Sequence, residues 1–173
     1  MTRSNTNKQV FITVGTTRFD SLIQQVCSSS VLSTLKSKGY SKVVLQIGNG
    51  SYEPKSVAFP GIKVEFFRFK NNLKEDISNS DLVISHAGAG SCLEVLEAKK
   101  PLIVVVNENL MGNHQVELAE KLYESGHLYY CTPNTLAFTL ETSDLTKLVT
   151  YECGKPERFA HFLENLLGLD KSN

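Results

Sequence analysis

Between residues 85 and 94 the chain reads Ser85-His86-Ala87-Gly88-Ala89-Gly90-Ser91-Cys92-Leu93-Glu94, and this is where its residue types point most directly to chemistry. Small side chains let a backbone come close to a ligand, and a helix starting here offers unpaired N–H groups to a diphosphate. The spacing is not the dinucleotide G-x-G-x-x-G, because Leu93 stands three places beyond Gly90. Nor does a Gly-Lys-Ser/Thr follow to make a P-loop. The expectation is phosphate binding outside the usual NAD and ATP motifs. Ser91 and Glu94 admit two readings. S-x-x-E before an apolar helix is a capping box, in which both side chains satisfy orphan amides. Glu94 could instead accept hydrogen bonds from the hydroxyls of a ribose.

Two further clusters have side chains suited to phosphate and sugar. Gly15-Thr16-Thr17 follows an apolar run and could donate backbone and hydroxyl hydrogen bonds, or form an ordinary strand-to-helix turn with a Thr cap. Asn113-His114-Gln115 opens a helical pattern with amides and an imidazole, groups that match sugar hydroxyls, although Asn113 could simply cap its helix. His86 is either phosphate-facing or structural. Gly48-Asn49-Gly50 marks a turn. His127 and His161 have no neighbours in sequence that suggest metal binding or catalysis. What is missing also matters. There is no Asp-x-Asp pair to hold a metal on a diphosphate, no G-x-S-x-G elbow, and no Asp or Glu that stands out as a general base. The chain has the character of a binding half whose catalytic base lies elsewhere, and neither a cofactor nor a metal site is expected.

These clusters need a scaffold, and the apolar pattern supplies one. Short β-rich runs at 10–14, 43–47, 62–69, 82–85 and 102–106 alternate with helical patterns at 20–38, 73–78, 91–98 and 114–124. Gly39 and Gly126 stand where helix-terminating glycines belong, and Lys100-Pro101 breaks a helix. Continuous apolar strands alternating with helices predict an α/β fold with a parallel sheet covered on both faces. Ligands of such sheets bind at the carboxyl ends of the strands, where the loops 15–18, 86–91 and 107–114 fall. The expected organisation is a flexible N-terminus over 1–9, one domain over 10–154, a C-terminal helix over 155–168 and a tail over 169–173. In that last helix Pro156 fits the first turn, and Phe159, Phe162, Leu163, Leu166 and Leu167 form an apolar stripe. The stripe either packs on its own sheet or docks another protein.

Composition narrows the class. Lys plus Arg and Asp plus Glu number 18 each in 173 residues, without a basic block, which argues against nucleic acid as a partner. The polar start lacks a signal-peptide pattern and no apolar run is long enough to span a bilayer, so the cytosol is expected. Cys27, Cys92, Cys131 and Cys153 are scattered without zinc spacing and read as buried thiols in a reducing compartment.

Three stretches together resemble one family: F-I-T-V-G-T-T-R-F-D from Phe11, D-L-V-I-S-H-A-G-A-G-S from Asp81, and N-L-M-G-N-H-Q from Asn109. The resemblance is to the cytosolic donor-binding subunits of the eukaryotic UDP-N-acetylglucosamine transferase that adds the second GlcNAc to the dolichol-linked oligosaccharide precursor. It extends, more distantly, to the C-terminal half of the bacterial transferase that forms lipid II. The resemblance implies a Rossmann-like sheet equivalent to the donor-binding half of a GT-B glycosyltransferase. It also implies a heterodimer with a membrane-anchored acceptor-binding subunit at the cytosolic face of the endoplasmic reticulum. That partner would present dolichyl-diphosphate-GlcNAc and the general base for an inverting, β1,4-forming transfer.

Residue by residue, the resemblance implies that Gly88, Ala89, Gly90 and Ser91 hold the diphosphate, with Thr16 and Thr17 close to it; Gly15 and His86 are candidates for the same site on their residue types alone. Glu94 would take the uridine ribose, Phe69 and Lys70 would line the uracil, and His114 and Gln115 would meet the GlcNAc hydroxyls. The bacterial relatives carry Gln-Gln where this chain has His114-Gln115. The C-terminal stripe would dock the partner. Two rival readings are a scaffold or regulatory subunit that keeps the fold without binding a donor, and a fragment of another UDP-GlcNAc enzyme such as an epimerase. A flat UDP titration would mark the first, and formation of UDP-ManNAc the second.

Overall fold

The computed structural model describes residues 7–109 and 113–152, together with Glu157 and His161. The expected C-terminal helix, with Phe159, Phe162, Leu163, Leu166 and Leu167, lies outside these residues. So do residues 1–6, Cys153 and the tail.

The described chain runs β1 (Lys8–Thr13), α1 (Asp20–Val26), α2 (Ser29–Ser37), β2 (Tyr40–Gln46), β3 (Lys63–Phe67) and α3 (Lys74–Ser78). It continues through β4 (Leu82–His86), α4 (Ala89–Glu97), β5 (Leu102–Val105), α5 (Asn113–Glu124), β6 (Tyr129–Cys131) and α6 (Leu136–Thr142). The strands form one sheet in the order β3-β2-β1-β4-β5-β6, and every pairing is parallel. This is the doubly wound order of the Rossmann fold.

Both faces of the sheet are covered, which explains why its strands read as near-continuous apolar runs. Val10, Ile12, Ile84 and Ile103 pack with Leu22 and Ile23 of α1, Leu32 and Leu35 of α2, and Leu136 and Leu140 of α6. Phe11, Val83 and Val104 point the other way, onto Ile77 of α3, Cys92, Val95 and Leu96 of α4, and Leu118 and Leu122 of α5. Alternate side chains of one strand thus feed two cores.

Several expectations change. The single helix over 20–38 is two, because Ser28 leaves the helical region (φ −70°, ψ 150°) and its Oγ caps α2 by accepting from the Val31 amide. Three consecutive serines, Ser28-Ser29-Ser30, favour such local side-chain bonding over helix continuation. The third strand is shorter than 62–69. Strand β6 and helix α6 were not anticipated: β6 has only three residues, and α6 buries Leu136 and Leu140 while Phe138 is 67% exposed. Two helices end in the same hydrogen-bonded reversal. At α5, Gly126 (φ 77°) gives its amide to Tyr123 O and His127 gives its amide to Leu122 O. At α4, Lys99 (φ 56°) and Lys100 do the same to Leu96 O and Val95 O, so a lysine occupies the left-handed position that glycine fills elsewhere.

Candidate functional site

Strands β1 and β4 lie side by side at the centre of the sheet, yet the chain leaves β1 toward β2 and leaves β4 toward β5. Their loops diverge at this switch point, and doubly wound sheets bind ligands at such a point, at the carboxyl ends of the strands.

His86 joins the two loops. Its half-buried ring sits between Gly15 and Gly88: a Cβ added at Gly15 would lie 2.9 Å from His86 Cε1, and one at Gly88 would collide with Nε2. Gly15 also has φ 59°, and a side chain at either glycine would push the same imidazole aside. His86 Nδ1 lies 3.4 Å from Thr13 O. Burial lowers the imidazole pKa and the Thr13 carbonyl opposes the shift only partly, so the ring favours its neutral form. With Nδ1–H donating to Thr13 O, Nε2 remains an acceptor.

Helix α4 begins at once after this loop, with Gly88 as its N-cap and no side-chain cap. The first intrahelical bond runs from Cys92 N to Gly88 O, which leaves the amides of Ala89, Gly90 and Ser91 without a partner inside the helix. Gly90 is exposed, and nothing lies within 4 Å of where its Cβ would be. The capping box does not form, because the helix starts two residues before Ser91 and the S-x-x-E pattern falls inside it. Glu94 is then one turn further along the helix, half-buried, and its carboxylate meets no hydrogen-bond or ion-pair partner among the described residues.

The loop after β1 is tightly stitched. Thr17 does not cap α1, whose N-cap position is Phe19; its amide and its hydroxyl both donate to Val14 O, the latter at 2.8 Å. The Gly15 amide donates to Thr13 Oγ1 at 3.1 Å. The carbonyls of Thr16 and Thr17 accept from the Asn49 side-chain amide (2.7 Å) and main-chain amide (3.1 Å). Asn49 thus belongs to the site's framework, a role that spacing alone does not reveal.

The remaining residues lie at other strand ends. Phe69 and Lys70 follow β3. Phe69 is 50% exposed, whereas Lys70 Nζ is 2.7 Å from Asp76 Oδ1 and lies over the Phe67 ring. Asn113, His114 and Gln115 open α5 after β5, with His114 exposed and its Nδ1 3.8 Å from Glu117 Oε2. The structure brings Gly15, Thr16, Thr17, His86 and Gly88 into one connected cluster and places Ala89, Gly90, Ser91 and Glu94 on the adjoining helix. No hydrogen bond of the described residues ties Phe69, Lys70, His114 or Gln115 to that cluster.

A separate open groove, lined by Gln9, Ser41, Lys42, Lys63 and Asn79, lies at the amino ends of the strands; both of its lysines pair with Glu65. Parallel sheets do not bind ligands at that end. Cys92 and Cys131 are buried, and burial pushes both thiols up to about 12, so neither is a nucleophile at neutral pH. Among the described residues no group of three or more His, Cys, Asp or Glu side chains is arranged to hold a metal ion. No described helix is long and apolar enough to cross a membrane.

A family model, the glycosyltransferase family 28 C-terminal domain, matches residues 9–166. The chain is 54% identical over 129 residues to the human UDP-N-acetylglucosamine transferase subunit ALG13 and 50% identical over 142 residues to the mouse protein. These matches cover 75% and 82% of this chain but only 11% and 12% of the relatives, so it spans little more than a tenth of their length. Among solved structures it is similar to the solution structure of ALG13, with TM-score 0.70 and 28% identity over 91% of this chain and 96% of that one. It is also similar to MurG of Acinetobacter baumannii, with TM-score 0.68 and 17% identity over 96% of this chain and 51% of that one. The second likeness shows a shared fold: the sheet described here matches half of a two-domain GT-B glycosyltransferase.

Proposed function

Because the chain belongs to the glycosyltransferase family 28 C-terminal domains, we propose that it binds UDP-GlcNAc at the switch point between β1 and β4 and supplies the donor half of a GlcNAc transferase. The observation that carries this reading is the uncapped start of α4 at the switch point, with Gly90 facing open space. Unpaired amides and the positive end of a helix dipole, equivalent to roughly half an elementary charge, suit a diphosphate.

The amides of Ala89, Gly90 and Ser91 hold the diphosphate and stabilise the charge that develops on UDP as the sugar leaves. They are fixed before the reaction, so little reorganisation is needed in the transition state. His86 keeps the two glycine loops apart by the thickness of its ring. Glu94 accepts from the ribose hydroxyls, which answers its lack of a protein partner. Phe69 and the Lys70 stem line the uracil, and Asn113, His114 and Gln115 meet the GlcNAc hydroxyls.

The acceptor in this reading is dolichyl-diphosphate-GlcNAc, presented by a membrane-anchored partner at the cytosolic face of the endoplasmic reticulum. That partner removes the proton from the acceptor hydroxyl, and attack on the far side of the anomeric carbon inverts it to a β1,4 linkage. The C-terminal stripe from Phe159 to Leu167 docks the partner. The test is transfer from UDP-GlcNAc by the chain combined with its partner, with the product linkage determined. Glu94→Ala and Gly90→Val should each depress transfer. If both keep full activity, the site assignment is wrong.

A further inference from the structure

The carbonyls of Thr16 and Thr17 are held from outside their own loop. Asn49 grips both, and Gly48 brings the two backbones into direct contact. With φ 54°, Gly48 has so little room that an added Cβ would lie 2.5 Å from Thr17 O and 2.9 Å from Gly15 O. The position of the β1 loop is therefore set by the position of the Gly48-Asn49-Gly50 turn.

That turn is braced in its own right by a residue from the edge of the sheet. Arg68, immediately after β3, donates through Nη1 to Gly48 O (3.1 Å) and Gly50 O (2.9 Å). Its Nη2 reaches Glu53 Oε1 at 2.5 Å, and Glu53 is paired in addition with Lys55. The Gly48 amide returns a bond to Arg68 O at 3.3 Å. On the far side, the Asp20 carboxylate accepts from the Tyr52 amide at 3.1 Å and from Arg18 Nε at 2.9 Å, tying the turn to the start of α1. Only a planar guanidinium serves two carbonyls and a carboxylate together; an ammonium on a flexible stem does not.

We propose that Arg68 is a positioning residue of the donor site, acting through the Gly48-Asn49-Gly50 turn on the loop that carries Thr16 and Thr17. This rests on the donor-binding reading above. Arg68 is half-exposed and its bonds lie in surface loops, so the brace sets loop geometry more than it holds the two cores together. Arg68 and Asn49 lie on one path to the same loop, so removing either releases the same constraint.

The experiment uses the full chain assembled with its acceptor-binding partner and measures UDP-GlcNAc Kd by calorimetry, donor KM and kcat by transfer, and Tm. The variants are Arg68→Met, Arg68→Lys, Asn49→Ala and the double variant Arg68→Met with Asn49→Ala. Arg68→Met and Asn49→Ala should each raise Kd and KM about tenfold, with kcat at saturating donor within about twofold of wild type. Arg68→Lys should fall between, and the double variant should be little worse than either single one, because the two act in series. Should Arg68→Met fail to fold, Arg68→Lys and Asn49→Ala still decide the question. Wild-type Kd and KM in these variants would overturn the inference, as would fully additive effects in the double variant. A wild-type complex that binds no UDP-GlcNAc would overturn the donor-site reading itself, and this inference with it.

Discussion

Gly90 is the position where fold and function make opposite demands. It lies at the second residue of α4, and a methyl group there would meet nothing within 4 Å. Glycine inside a helix costs about 0.5–1 kcal/mol relative to alanine, through the extra backbone freedom it loses on folding. Gly90→Ala should therefore stabilise the isolated chain by up to about that amount, which in a domain of this size raises Tm by roughly 1–4 °C. The same methyl projects beside unpaired amides into the space assigned to the diphosphate. Losing one hydrogen bond to a charged phosphate oxygen costs about 1.5–3 kcal/mol, or at least tenfold in Kd. Thermal unfolding and a calorimetric titration with UDP-GlcNAc read the two effects separately. A variant that is more stable and binds UDP-GlcNAc as tightly as wild type would refute the placement of the diphosphate. A destabilised variant would refute the claim that the space before Gly90 is open.

Three further outcomes follow from the geometry. Glu94→Gln should change stability by no more than about 0.5 kcal/mol, since the carboxylate has no partner among the described residues, while weakening UDP binding about tenfold by calorimetry. Lys99→Gly should stabilise the chain by about 0.5–1 kcal/mol in denaturant unfolding and leave donor affinity unchanged, because it relieves a left-handed residue in the turn that ends α4. The His86 ring should titrate below its ordinary value of 6.5 when followed by NMR, because burial disfavours the charged form. Below pH 6.5 the unfolded chain then takes up the proton first, so stability falls as pH drops toward the folded-state pKa and is insensitive to this group above 6.5. A pKa at or above 6.5 would contradict the buried, neutral ring.

The sheet was legible because two-sided burial leaves a mark that periodicity can find. Residues 10–12, 82–84 and 102–106 are apolar without interruption, and Val10, Phe11 and Ile12 are all fully buried on alternating faces. The glycine loops were legible because backbone must pass close to something at Gly15 and Gly88, although that neighbour proved to be His86 itself. What escaped was decided by contacts between distant residues. Asn49 and Thr16 lie 33 positions apart, and nothing near Asn49 announces the bond. Strand β6 is three residues long and is defined by its pairing with β5. The S-x-x-E pattern at Ser91 and Glu94 misled for a local reason: Ala89 and Gly90 already lie in the helix, so the pattern sits inside it and its glutamate is left unpartnered. That misplacement strengthens the case for Glu94 as a ligand-binding group.

The central claim is a preformed donor site between β1 and β4, and titrating UDP-GlcNAc into the purified chain by calorimetry, with and without the acceptor-binding partner, tests it most directly. Saturable one-to-one binding to the chain alone, weakened by Gly90→Val and by Glu94→Ala, is the predicted result. A flat titration in both states would contradict it.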